Sequence, residues 1–231
     1  MHTRWHFSDS DAIWLAQALA FVARAEREAL AARGEFHIVL AGGDTPRDVY
    51  AALARETHDW PRWRVWFGDE RCLPAGHPER NSTMAGAALL DHVPIAAVHA
   101  IPGERGALMA AVLYDGELDG VGDFDLVILG LGEDGHTASL FPGRVFEHEP
   151  DVLPVFDAPK PPPERVSLSA GRLSRARHAL FLVRGTAKRD ALLRWRADAA
   201  ALPLIPAATI RPEAGVDVLL APDLSTPGVF P

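Results

Sequence analysis

The chain has 231 residues, 48% of them hydrophobic and 23% charged, enough to bury a sizeable core with no composition shift to divide it, so one domain spanning 1–231 is expected. Lysine and arginine number 23 against 31 acidic residues, a formal charge of −8 with no basic run; this speaks against a nucleic-acid partner and leaves any anionic ligand dependent on a few well-placed cations. No apolar run reaches the ~18 residues of a membrane span, the polar N-terminus lacks a signal peptide's basic flank and apolar stretch, and Cys72 alone cannot form an internal disulfide, so a soluble cytoplasmic protein is expected.

In chain order, Ser8 and Asp11 stand at capping-box spacing. Leu15, Leu19, Val22 and Ala23 follow at helical spacing, and Gly34 supplies a stop. The apolar run from Phe36 to Ala41 reads as a buried strand ending in Gly42-Gly43, after which Pro46 opens a helix with Thr45 as its cap. Val65-Trp66-Phe67 is a second strand, ending at Gly68-Asp69-Glu70-Arg71. A helix is expected from Glu104 to Leu118 and a strand from Phe124 to Leu129, ending at Gly130-Leu131-Gly132. Three consecutive prolines, Pro161 to Pro163, make an extended loop. Val166 to Leu168, Ala179 to Val183 and Val216 to Leu220 read as strands, with a helix from Ala187 to about Ala199. Strands alternating with helices, several apolar on both faces, predict an α/β fold: a mostly parallel sheet covered on both sides.

Ligands of such sheets bind beyond the carboxyl ends of the strands. Those ends are Gly42-Gly43-Asp44-Thr45, Asp69-Glu70-Arg71, Gly130 to Thr137, and Gly185 to Lys188, all polar or glycine-rich. A glycine turn before a helix lets backbone N–H groups approach a phosphate, although an ordinary β-to-α turn looks the same. Gly130-Leu131-Gly132-Glu133-Asp134-Gly135 matches the dinucleotide fingerprint, but Pro142-Gly143 cuts the following segment to about two turns, and the dinucleotide reading is set aside. Asp134-Gly135-His136 is more informative. A histidine titrates near ~6.5 when unperturbed and can take and return a proton at neutral pH, and an aspartate two residues earlier can orient it. Ser139 lacks the G-x-S-x-G elbow of a nucleophile. Lys188 falls in the first turn of a helix, where a cation opposes the dipole unless an anion sits there. Glu147-His148-Glu149 lacks a metal-site spacing and reads as a solvated loop.

Together, Leu40 to Pro46, Trp66 to Arg71, Gly130 to Pro142, Pro163 to Leu168 and Gly185 to Arg189 resemble the 6-phosphogluconolactonase family along nearly the whole chain. The resemblance implies the Rossmann-like fold shared with glucosamine-6-phosphate deaminases, with no cofactor and no metal. It also implies hydrolysis of 6-phospho-D-glucono-1,5-lactone in the oxidative pentose phosphate pathway. It puts the general base on His136 with Asp134 beside it, and the active-site arginine on Arg71, which would either stabilise the oxyanion or hold Asp134. It puts phosphate binding on Gly42, Gly43, Thr45 and Lys188, with Arg165 as a second phosphate ligand; Asp69 is a further candidate. The expected partner is the phosphorylated sugar lactone, with no nucleic acid and no membrane, and the chain is expected as a monomer or weak homodimer. Two positions depart from the family pattern. Asp44 puts a carboxylate where a non-acidic residue is usual, so it must point away or cap the helix, and Arg80-Asn81 replaces a Ser-Asn pair. The deaminase carries a glutamate five residues after its histidine, where this chain has Phe141. A sugar-phosphate sensor would need a DNA-binding domain for which the chain has no room.

Overall fold

The computed structural model describes residues 2–143, 150–197 and 205–224. Seven strands form one parallel sheet: β1 (Thr3–Phe7), β2 (Phe36–Leu40), β3 (Trp63–Phe67), β5 (Ala97–Val98), β6 (Phe124–Leu129), β9 (Ala176–Val183) and β10 (Val216–Leu220). Their order is β1-β10-β9-β6-β2-β3-β5, and every neighbouring pair is parallel. All six residues of the central β6 are buried, as a strand covered on both faces requires. From β2 the chain steps outward through β3 to β5, then returns to β6 and steps the other way. The carboxyl ends of β2 and β6 therefore flank the switch point where such sheets open a crevice.

A second, antiparallel sheet runs β4 (Asp69–Arg71), β8 (Arg165–Leu168), β7 (Val152–Val155). Gly68 joins the two sheets: its N–H donates to the Leu40 carbonyl at 3.0 Å and its carbonyl accepts from the Leu168 N–H at 2.8 Å. Asp69 to Arg71, read from sequence as the polar end of the preceding strand, is a strand of its own, in register with Ser167, Val166 and Arg165.

Among the described residues six α-helices cover the sheets: α1 (Asp11–Arg33), α2 (Asp44–Leu53), α3 (Asn81–Ala88), α4 (Ala107–Glu117), α5 (Ala170–Ser174) and α6 (Arg189–Arg196). The Gly34 stop of α1 is present in the left-handed conformation, φ 80°. Its start is not the expected capping box. Ser10 is the cap, accepting from the Ile13 N–H, while Ser8 is buried and donates to Gln17. The core face of α1 is also rotated from the leucine stripe: Trp14, Ala18, Val22, Ala25 and Ala29 are buried, and Leu15 and Leu19 lie at its margin. Alanines at three of the buried positions let this helix lie close on the sheet, and Trp14 ties it there by donating to the Leu219 carbonyl. Thr45 is not the cap of α2 either; Gly43 holds that position, φ 102°, with no side-chain cap. The helix expected from Glu104 begins at Ala107, after a 3₁₀ turn over Gly103–Arg105. Residues 136–143, after the glycine fingerprint, contain no helix. Glu147-His148-Glu149 and the far end of the expected helix, 198–199, lie outside the described residues.

Candidate active site

The four polar strand ends meet. A cavity of about 200 Å³ at the switch point is lined by Gly42 and Gly43 after β2, Asp69 and Arg71 on β4, and Asn81 at the head of α3. Gly130 to Glu133, His136 and Thr137 after β6, Lys160 on the proline loop, Arg165 on β8, and Lys188 also line it. A larger cavity, about 690 Å³, lies at the opposite, amino end of the sheet among Arg33, Asp125, Arg177 and His178. Arg33 and Arg177 are paired with Asp125 there and His178 with Glu28, whereas the smaller cavity gathers the polar strand ends and is the candidate site.

The segment from Gly130 to Leu140 is a tight loop that carries the histidine. The Gly132 N–H donates to the His136 carbonyl at 2.8 Å, the Gly135 N–H to the Gly132 carbonyl at 3.1 Å, and Thr137 Oγ1 to the Gly130 carbonyl at 2.9 Å. Gly132 cannot be larger, since a Cβ there would stand 2.0 Å from His136 Nδ1. Asp134 Oδ1 accepts twice, from the His136 backbone N–H at 3.1 Å and from Nδ1 at 2.5 Å. Partial burial pushes the Asp134 carboxyl up, but the N–H bond and the adjacent imidazole outweigh it, and its pKa lies below the ordinary aspartate value. An ionised Asp134 fixes the tautomer with the proton on Nδ1 and leaves the Nε2 lone pair free to act as a base. The Phe141 ring packs 5.0 Å from the imidazole, centroid to centroid.

Opposite stands a cationic wall. Arg71 and Arg165 are directly paired across the two antiparallel strands, an arrangement that repels unless an anion lies between the charges. Burial, reinforced by Arg71 and opposed by Asp69, pulls the Arg165 pKa below the usual guanidinium range. Arg165 donates to the carbonyls of Lys160 and Pro162 at 2.9 and 3.2 Å, so part of its guanidinium braces the proline loop that carries Lys160 into the cavity. Arg71 donates to the Glu79 carbonyl, while its buried Nε has no hydrogen-bond partner among the described residues. It makes no pair with Asp134, whose ion pair among the described residues is with His136. Lys188 sits just ahead of α6 and, among the described residues, has no carboxylate partner.

Both oxygens of Asp69 are engaged: one accepts from Asn81 Nδ2 at 2.9 Å and the other from Ser139 Oγ at 2.6 Å. It locks the histidine loop and Asn81 together. Asn81, to which the sequence assigned no role, fills the space under Gly42, where a Cβ would lie 2.0 Å from Asn81 Oδ1. Its placement comes from the fully buried Glu70, which accepts from the N–H groups of Asn81 and Ser82 at 2.7 and 2.9 Å and so caps α3. Arg80 serves the same anchor, 3.4 Å from Glu70 and 2.8 Å from Glu104. The only early signal was the Arg80-Asn81 departure itself. Of the expected phosphate residues, Thr45 is half-buried in α2 and does not line the cavity. Asp44 points away, paired to Arg47 at 2.7 Å on the surface.

Among the described residues no cluster of three His, Cys, Asp or Glu side chains is placed to hold a metal ion, and no helix is long and apolar enough to cross a membrane.

The family model of glucosamine-6-phosphate isomerases and 6-phosphogluconolactonases matches residues 9–219. A 6-phosphogluconolactonase of Streptomyces coelicolor is 41% identical over 71% of this chain and 72% of its own. One from Synechocystis is 37% identical over 87% and 88% respectively. The crystal structure of 6-phosphogluconolactonase from Thermotoga maritima superimposes with a TM-score of 0.86 at 26% identity, covering 95% of this chain and all of that one.

Proposed function

The chain belongs to the glucosamine-6-phosphate isomerase and 6-phosphogluconolactonase family, and from that premise we propose that it hydrolyses 6-phospho-D-glucono-1,5-lactone to 6-phospho-D-gluconate, the lactonase step of the oxidative pentose phosphate pathway. The observation that carries the reading is the juxtaposition of the Asp134–His136 pair with four cations, Arg71, Lys160, Arg165 and Lys188, in one cavity of a chain whose net charge is −8. A locally reversed field is what a phosphorylated substrate needs.

In this reading Lys188, Arg165 and the Gly42-Gly43 turn hold the phosphate, and the lactone ring lies toward His136. His136 Nε2 takes a proton from water as the oxygen attacks the lactone carbonyl. The tetrahedral oxyanion is stabilised by Arg71, a donor of a kind typically worth about 3–4 kcal/mol. His136 then returns the proton to the departing ring oxygen, and Asp134 stabilises the imidazolium in between. The chemistry calls for no cofactor, and we place it in the cytoplasm. The deaminase alternative calls for a carboxylate at the position that the buried Phe141 ring occupies beside His136.

The test is to mix the protein with freshly prepared lactone and follow acid release against the uncatalysed rate. Catalysed release is expected, with no ammonia from glucosamine 6-phosphate. Ammonia release without lactone hydrolysis would overturn the assignment.

A further inference from the structure

Helix α4 is built inside out. Its buried face is Ala107, Ala110, Ala111 and Tyr114, whereas its larger aliphatic side chains face solvent: Leu108 is 64% exposed, Met109 54%, Val112 62% and Leu113 45%. Phe156, 55% exposed, continues the patch beside Leu108, Met109 and Val112, with a groove of about 420 Å³ between them. These five are the greater part of the large apolar side chains that the described residues expose, and they are gathered in one place. A contiguous apolar patch on an otherwise charged surface marks an interaction site.

The charges at its ends say what covers it. Arg105 stands just before the N-terminus of α4, and Asp115 lies in its last turn. Each therefore opposes the helix dipole, which favours anions at the start and cations at the end. Both are exposed, and neither makes an ion pair among the described residues. A second copy of the same helix laid antiparallel corrects both faults at once. A two-fold axis through the midpoint of the stripe, between Ala110 and Ala111, brings Arg105 of one copy beside Asp115 of the other and repeats the contact at the far end. Gly116 at the rim, with nothing near it, leaves room for the partner's arginine stem.

We propose that α4 and Phe156 form an isologous homodimer interface between two copies of this chain, with the apolar stripes packed antiparallel and Arg105–Asp115 pairs closing both ends. One short helix face and a phenyl ring per copy fall at or below the ~1,200 Å² lower limit of a standard interface, so the dimer is weak and concentration-dependent. The active-site cavity shares no lining residue with this surface, and the proposal stands apart from the catalytic reading.

Sedimentation velocity of the full chain from micromolar to several hundred micromolar should show its mass doubling, with no larger species. Val112→Glu should abolish the doubling while leaving the melting temperature and lactonase activity per chain unchanged. Arg105→Glu should weaken dimerisation roughly tenfold or more, and Arg105→Glu combined with Asp115→Arg should restore it. A monomer at every concentration, a dimer indifferent to Val112→Glu, or a double variant no better than the single would each overturn the proposal.

Discussion

His136 presents Nε2 to the cavity because Asp134 accepts the proton-bearing Nδ1 at 2.5 Å, and because Gly132 leaves the ring room to lie there. Replacing His136 with Asn keeps a polar side chain but removes the proton acceptor, so kcat should fall about 10²–10⁴-fold while substrate binding survives. The pH profile follows from the same pair. The base works only when neutral, so kcat/KM should be lost as pH falls through the imidazole ionisation and recovered as it rises. Asp134, held below the ordinary aspartate value, stays charged across that limb and adds no second one. The Asn variant should lose the limb once spontaneous lactone opening is subtracted; an unchanged profile would make the histidine structural. Lys188, without a carboxylate partner among the described residues, is free to meet a phosphate. Lys188→Ala should weaken the phosphorylated substrate by roughly 10- to 150-fold, the equivalent of one charge-assisted hydrogen bond, and leave the unphosphorylated lactone nearly untouched. Equal losses on both substrates would argue against a phosphate contact. The dyad and the lysine were legible because they sit in short motifs at strand ends. Asn81 was not, because its position depends on Glu70, eleven residues earlier in the chain, and on the missing side chain of Gly42.

Among the elements, those buried on both faces could be read directly: β6 and β10 match their expected limits, and β2 and β3 nearly so. The missed ones lack that signature. β5 has two residues, β7 contains Pro154 at the edge of the small sheet, and α3 opens on Asn81-Ser82-Thr83, a start that only Glu70 makes stable. β1 is an edge strand whose sequence, Thr3-Arg4-Trp5-His6-Phe7, is half polar. What fixes it is Asp217, nearly buried on β10, which accepts from Arg4 at 2.8 and 2.7 Å and lies 2.7 Å from His6 Nε2. Burial pushes the Asp217 carboxyl up, but Arg4 and His6 outweigh it and its pKa is lowered. The stabilisation is therefore complete above the unfolded-state value of about 3.9 and is lost as pH falls through the lower folded value. Asp217→Asn should cost about 1.5–3 kcal/mol near neutral pH and show a flatter acid limb. Denaturant melts at pH 7 and pH 3 would measure both, and equal acid limbs would remove Asp217 from the account.

At the scale of the whole molecule, the ligand site is a consequence of strand order. The path reverses between β2 and β6, and the second sheet closes the mouth with Arg71 and Arg165. Alternating apolar runs and helices announced the parallel sheet, whereas of the antiparallel one only β8 was read as a strand, because β4 is three charged residues and β7 carries a proline. Because the proposed chemistry uses only side chains of this chain, chelators should leave lactonase activity intact; loss on chelation with return on adding zinc would overturn the cofactor-free mechanism. The pairing of β1 with β10 has a further effect, this one in time. Arg4 and Asp217 are 213 residues apart, so during synthesis β1 waits for β10. At about 5–20 residues per second the wait is roughly 10–40 s, during which β1 lacks the strand it pairs with. Until Val216 to Leu220 emerges, the nascent chain carries an open sheet edge, and a ribosome that stalls late leaves that edge available to holding chaperones and to other unfinished chains.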